Sequence, residues 1–292
     1  MSTPSSTPTW SRRRTTGLRV LAVWLALLAA WEGAYRIIGW RPWLFPAPSH
    51  VLDATLAMLG VKTGFGEPLG PRWPLAASAG GSLGGLVSSP LVQALAISAV
   101  RLALGFAISL VLGTILGLLM WRYPFADAAL GPAFLGLQTL PSVVWVPLAI
   151  LVFGIRESGI MFVLVMGSFF AIAIALRDGL RQSPPILRQA ALMLGARRWK
   201  LYRHVVLPAG LPAVAGSLRQ GFSFAWRSLM GAELIFVLQR RGLGFLLNVG
   251  REFADVAQVV AVMLMMVLIG MTADRLFFAR LELRVRERFG LV

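Results

Sequence analysis

Residues 177–208 read RDGLRQSPPILRQAALMLGARRWKLYRHVVLP, a basic segment between two apolar runs whose periodicity decides what kind of chain this is. Pro184 and Pro185 suit a helix start, where a missing N–H costs nothing. Ile186, Leu187, Ala190, Ala191 and Leu194 then fall on one helical face, and Gly195 supplies a C-terminal stop. Beyond it Trp199, Tyr202 and Val206 form a second apolar stripe, with Arg198 and Lys200 beside it, until Pro208 opens the next apolar run. The pattern predicts two short helices meeting at a glycine elbow. Physical chemistry leaves two uses for such a unit. It can lie on anionic lipid as an interfacial hairpin, or it can enter a groove on a cytosolic partner, with the small Ala190 and Ala191 on its apolar face.

Outward from this segment the chain is overwhelmingly apolar. Of its 292 residues 57% are hydrophobic and the mean hydropathy is +0.75, which excludes an ordinary water-soluble enzyme. About 20 apolar residues cross the roughly 30 Å hydrocarbon core, and six runs qualify, with no strand signal. Span one runs from Leu18 to about Gly39 and span two from about Leu95 to Trp121. Span three takes Ala126 to about Gly154, bent by Pro132, Pro141 and Pro147. Span four is Ile160 to Leu176, span five about Gly210 to Leu238, and span six Val256 to Phe278. Residues 75–95 are uncharged but rich in Gly and Ser and bracketed by Pro68, Pro71, Pro74 and Pro90, so they read as an external loop rather than a seventh span. The resulting layout is a disordered cytosolic tail over 1–17, a first span plus external loop over 18–94, a core over 95–280 containing the loop at 177–208, and a cytosolic tail over 281–292.

The charge distribution gives the orientation. Lys and Arg number 28 against 12 Asp and Glu, a formal +16. With the N-terminus inside, seventeen of the basic residues fall in inside segments, eight outside, and Arg101, Arg219 and Arg227 within spans, which accounts for all 28. Positive charge favours the cytosolic side. A nucleic-acid partner is excluded on the same grounds, since the basic residues punctuate apolar runs instead of covering a wet face. Both chain ends are placed in the cytosol. There is no cysteine, so disulfides and thiolate sites are absent.

Gln189-Ala190-Ala191, three residues, Gly195, nine residues and then Val205-Val206-Leu207-Pro208 is a spacing similar to the EAA loop of bacterial ABC-importer permeases. RLALGFAISLVLGTILGLL from Arg101, LPSVVWVPLAILVFGI from Leu140 and LRQGFSFAWRSLMGAELI from Leu218 resemble the branch that carries nitrate, sulfonates and taurine. The resemblance covers about residues 95 to 280. It implies an all-α membrane protein of six transmembrane helices, the type I ABC importer permease (MetI-like) fold, with the loop as a cytosolic coupling helix in a bacterial cytoplasmic (inner) membrane. It further implies two copies of a separate ATPase subunit holding ATP and magnesium, an extracytoplasmic solute-binding protein, and a second permease subunit, as a homodimer, all in membrane lipid. Carried over position by position, Gln189, Ala190, Ala191, Gly195, Leu207 and Pro208 are the coupling positions. Gln189 stands where the family has Glu; it keeps length and hydrogen-bonding capacity and loses the charge.

What the chain lacks points the same way. No glycine-rich phosphate loop surrounds Lys62 or Lys200, its only lysines, so ATP hydrolysis belongs to another chain. His50 and His204 are its only histidines, and both lie in water-exposed segments, so no metal site and no Ser/His pair is formed and no catalytic residue is assigned. Charged groups inside spans are functional candidates by default. Arg227, with Arg219 and Glu233, either lines a pathway for anionic solutes or pairs internally and snorkels. Gly113 and Gly117, with Gly105, mark close helix packing, and Ser168, Ser223 and Ser228 are packing or backbone-bonded groups. Asp274 is either a recurrent family acid or a partner for Arg275 or Arg280. Outside the membrane, Ser49 caps a short helix over Val51 to Leu59, beside the interfacial Trp40 and Trp43. Two rival functions remain: an ion-driven secondary transporter or channel, for which only the prolines of span three and Arg227 with Glu233 speak, and a membrane scaffold that recruits a cytosolic protein. Neither explains the loop spacing.

Overall fold

In a computed structural model, residues 9–41, 44–59, 89–181, 185–196, 199–236 and 241–288 are described, and these are helical without a strand. The 75–95 loop reading lies outside them except at its end, where α3 already begins at Pro90. The chain forms two compact units, residues 1–89 with 250–261, and residues 90–249 with 262–292.

In the first unit, α1 (Thr9–Ile38) begins well ahead of the expected Leu18. Residues 9–17 of the expected tail are thus part of this helix: adding a turn to a formed helix costs far less than starting one. α2 (Pro48–Met58) packs on α1. Ser49 is not its cap. Pro48 takes the first helical position, and the His50 Nδ1 accepts from the Ala47 N–H at 3.3 Å. Ser49 instead donates its hydroxyl and its N–H to Glu32, each at 3.3 Å, while Arg36 binds the same carboxylate at 2.8 Å. Phe45 lies 5.5 Å from Trp31 and 5.2 Å from Trp40, an aromatic cluster at the end of α1.

The second unit is built on α3 (Pro90–Arg122), α4 (Pro124–Thr139), α5 (Trp145–Phe153), α6 (Glu157–Arg181), α7 (Pro185–Met193) and α8 (Leu207–Ile235). α9 (Leu243–Glu252) and α10 (Val256–Ala273) run across the two units, and α11 (Arg280–Arg288) ends the described chain. α6 is the central post. It packs along α3 and α8, and 61% of its apolar stretch is buried against 22% for α3. Ile160, Val163 and Leu164 meet Val146 and Ala149 of α5 and Ala225, Leu229 and Ala232 of α8. Nearer the other end, Phe170, Ala173 and Ile174 meet Met120 of α3 and Phe134 of α4. The glycine motif of α3 is spent here, inside one chain. Arg101, Gly105, Ser109, Gly113 and Gly117 are buried at every fourth position, one stripe of the helix. A Cβ on Gly113 would stand 2.8 Å from Ile172 and one on Gly117 2.8 Å from the Ala173 carbonyl. Ser109 accepts from Ser168 of α6 at 2.8 Å, as a packed polar pair.

Span three is corrected from one bent helix to two. α4 and the helical segment 142–153, a 3-10 turn over Ser142–Val144 leading into α5, meet at 95°. Only Pro141 breaks the span. Leu140 before it is extended, at φ −69° and ψ 127°, the conformation that the proline ring favours in the residue ahead of it. Pro132 is carried inside α4, and Pro147 sits in the first turn of α5, where no helical partner awaits its N–H. Among the described residues, α3, α6 and the stretch 256–285 are long and apolar enough to cross a membrane, and the bent pair would make a fourth. A π-turn over Asp274–Ala279 carries the helix on into α11, within the C-terminal tail expected from residue 281.

Candidate functional site

The loop over 185–206 has the predicted glycine elbow. Gly195 lies at φ +80°, in the left-handed region where a Cβ is penalised. Its N–H donates to the Leu192 carbonyl at 3.0 Å and the Ala196 N–H to the Ala191 carbonyl at 2.9 Å, the paired bonds of a Schellman stop. α7 splits its apolar stripe. Ala191 is buried with Leu201, Trp121, Ala196 and Val205, anchoring the helix. Ile186, Gln189, Ala190, Met193 and Leu194 stay exposed, the two last at 89% and 87%. A free apolar face with small residues on it is what a groove-entering helix presents. The second predicted helix does not stop at Pro208: a helical turn over Trp199–Leu201 and a π-turn over Tyr202–Val206 run straight into α8 at Leu207. The segment from Trp199 and span five thus form one helical path, with α7 set off from it by the Gly195 elbow. The side chains of Leu187, Trp199, Tyr202, Val206, Leu207 and Pro208 lie outside what is described.

The charges inside the spans separate into three groups. Arg101 is clamped by two carboxylates, Glu157 through Nε at 2.8 Å and Nη2 at 2.6 Å, and Glu233 through Nη1 at 2.7 Å. Glu233 is almost wholly buried. It also accepts the Ser98 hydroxyl at 2.7 Å and the Gly244 N–H at 3.1 Å, while Ser98 accepts the Leu243 N–H at 2.9 Å. This network ties α3, α6 and α8 to the start of α9. Glu233 therefore pairs with Arg101, not with Arg227 six residues away. Glu157 was missed in the sequence because it sits just ahead of span four, although an acid at that boundary is the one signal that could have found it.

Arg219 binds Asp274 through two bonds of 2.8 Å and Glu282 at 3.2 Å. Asp274 thus holds an arginine of α8, neither Arg275 nor Arg280. A similar cluster, unnoticed in the sequence, joins α4 to α6: Asp127 takes Arg177 and Arg181, each at 2.9 Å. Arg227 is the exception. It is exposed, has no carboxylate partner among the described residues, and lies on the wall of a cavity of about 290 Å³ at the Pro141 break. Of the three candidates Arg227, Arg219 and Glu233, Arg227 lines this cavity and the other two are held in the ion-pair clusters.

Residues 83–287 match the family described as binding-protein-dependent transport system inner membrane component. The chain is 27% identical to the taurine transport system permease protein of Escherichia coli over 278 residues, 95% of this chain and 89% of that one. It is 30% identical over 189 residues to the putative aliphatic sulfonates transport permease of Bacillus subtilis, covering 65% of this chain and 68% of that one. It is 27% identical over 185 residues to the nitrate import permease of a Synechocystis strain, covering 63% and 66%.

Proposed function

Because the chain belongs to the family of binding-protein-dependent transport system inner membrane components, a multi-pass permease of ABC importers, we propose that it imports a small anionic solute of the sulfonate, taurine or nitrate kind as half of a homodimeric pathway. ATP and magnesium sit on two copies of a cytosolic partner, and an extracytoplasmic binding protein delivers the solute. The relatives' solutes share an anionic group, the sulfonate of zwitterionic taurine included, and the lone Arg227 on the cavity wall supports a pathway that meets one. Six spans, α1, α3, the α4–α5 pair, α6, α8 and α10, put both chain ends and α7 in the cytosol, the side that then holds most of the arginines.

The observation that carries the coupling role is the exposed face of α7, whose buried Ala191 packs on Leu201 in the helical turns that run into α8. A push on Gln189, Ala190 and the apolar residues around them is delivered through Leu207 and Pro208 to the helix that bears Arg227. Nucleotide and loaded binding protein then favour the same conformation, as linkage requires. The test is to co-express the tagged chain with its chromosomal neighbours, to purify it in mild detergent and to assay the eluate for an ATPase subunit. The ATPase is expected in fixed ratio, and is expected to be lost when residues 186–206 are scrambled. Undiminished uptake in proteoliposomes lacking ATPase and nucleotide would sink this reading in favour of a secondary transporter.

A further inference from the structure

The cavity beside Arg227 is furnished as more than a conduit. It lies where the Pro141 break meets α6 and α8, and Arg227 is its one charged lining residue among those described. The guanidinium is held in place from behind. Its Nε donates to the Ser223 carbonyl at 3.1 Å and its plane lies 4.6 Å over Phe224, so both Nη groups are left without an acceptor among the described residues. Gln138, in the last turn of α4 ahead of the break, brings an unmet demand: its Oε1 is buried with no hydrogen-bond partner among the described residues. Orphaned buried amides are costly, and a side-chain amide can offer either its oxygen or its NH2 to a ligand. Ser142 adds a hydroxyl, while Met166 and Phe224 make the remaining wall apolar. Pockets for drug-sized ligands run from about 300 to 1,000 Å³, so this one suits a solute of a few heavy atoms.

The geometry points to a substrate subsite within the permease itself, selective for a small organic oxyanion whose sulfonate or carboxylate head meets Arg227 and whose short carbon body covers Phe224 and Met166. The inference rests on the reading that Arg227 lines the pathway, and it narrows the solute class. An inorganic ion such as nitrate would satisfy the guanidinium and leave the apolar wall uncovered. An organic anion satisfies both.

The experiment uses the full chain in lipid nanodiscs, without ATPase or binding protein, titrated calorimetrically with ethanesulfonate, sodium nitrate and ethylammonium. Saturable ethanesulfonate binding is expected, with nitrate about tenfold or more weaker and no ethylammonium binding. Arg227→Gln should weaken ethanesulfonate roughly 10- to 100-fold, the loss expected when a charge-assisted pair is removed. Arg227→Lys should weaken it less, and Ser142→Leu, which fills the cavity without touching the charge, should weaken all anions alike. The subsite is overturned if the unaltered chain binds no ethanesulfonate, or if Arg227→Gln and Ser142→Leu bind as it does. Equal affinity for nitrate and ethanesulfonate would overturn the organic assignment. Each variant is also scored for retention of the co-expressed ATPase. Retention without binding overturns the subsite and leaves the importer reading standing, whereas binding without an ATPase partner supports the subsite and removes the coupling role.

Discussion

Among the described residues nothing lies within 4 Å of the place a Cβ would occupy on Gly195, so a substitution there meets the backbone's own penalty. At φ +80° that penalty is about 1–2 kcal/mol for an ordinary L-residue, and a β-branched one fares worse. Gly195→Val is expected to leave the membrane core folded and to abolish both uptake and binding-protein-stimulated ATP hydrolysis, read in reconstituted proteoliposomes; unaltered uptake would remove the loop from the coupling path. Arg101 makes a different kind of residue-scale claim. Arg101→Met strands the buried Glu233 carboxylate and should cost about 3–5 kcal/mol, measured by unfolding in detergent. The double variant Arg101→Met with Glu233→Met removes both charges and should be more stable than Arg101→Met alone. Gly195 was legible in the sequence because a stop needs only a local signal. The Arg101 partners were not, since Ser98, Glu157 and Glu233 lie up to 135 positions apart in the chain and no short-range period links them.

α3 and α6 are held together by what α3 omits. At Gly113 an added Cβ would meet both Ile172 and, at 2.9 Å, the Phe169 carbonyl, and a backbone cannot step aside. At Gly105 the obstacle is the mobile end of Leu164. Gly113→Leu should therefore lower stability by about 1–3 kcal/mol or prevent folding, while Gly105→Ala is tolerated better, a ranking readable from thermal unfolding of the two purified variants. Equal behaviour of the two would argue against this packing. Small residues at every fourth position announced close approach in the sequence, and the helix they approach, α6, became known only from the structure. Proline was legible in part. Three prolines foretold a bend in span three, but only the one preceded by an extended residue broke the helix, because a proline in a first turn, or one accommodated mid-helix, leaves the axis running.

At the scale of the molecule, the second unit holds Arg101 with Glu157 and Glu233 at one end of its helices and the Asp127 and Asp274 clusters toward the other, with Arg227 between them along α8. The proposed topology makes a simple prediction from composition, because the only two lysines, Lys62 and Lys200, fall on opposite sides of the membrane. In spheroplasts a membrane-impermeant amine reagent should label the chain through Lys62, with the signal lost in Lys62→Arg and kept in Lys200→Arg. In inside-out vesicles Lys200 should react instead, and labelling of Lys200 in spheroplasts would invert the assignment. The fixed charge of Arg227 has an electrical corollary. An inner membrane is held negative inside, and each elementary charge moved across it is worth about 2.3 kcal/mol per 100 mV. A permanently open hole at Arg227 would let that voltage drain anions out of the cell, so a cavity built to welcome negative cargo is useful only when it is never open to both sides at once and when another energy source drives the cycle uphill.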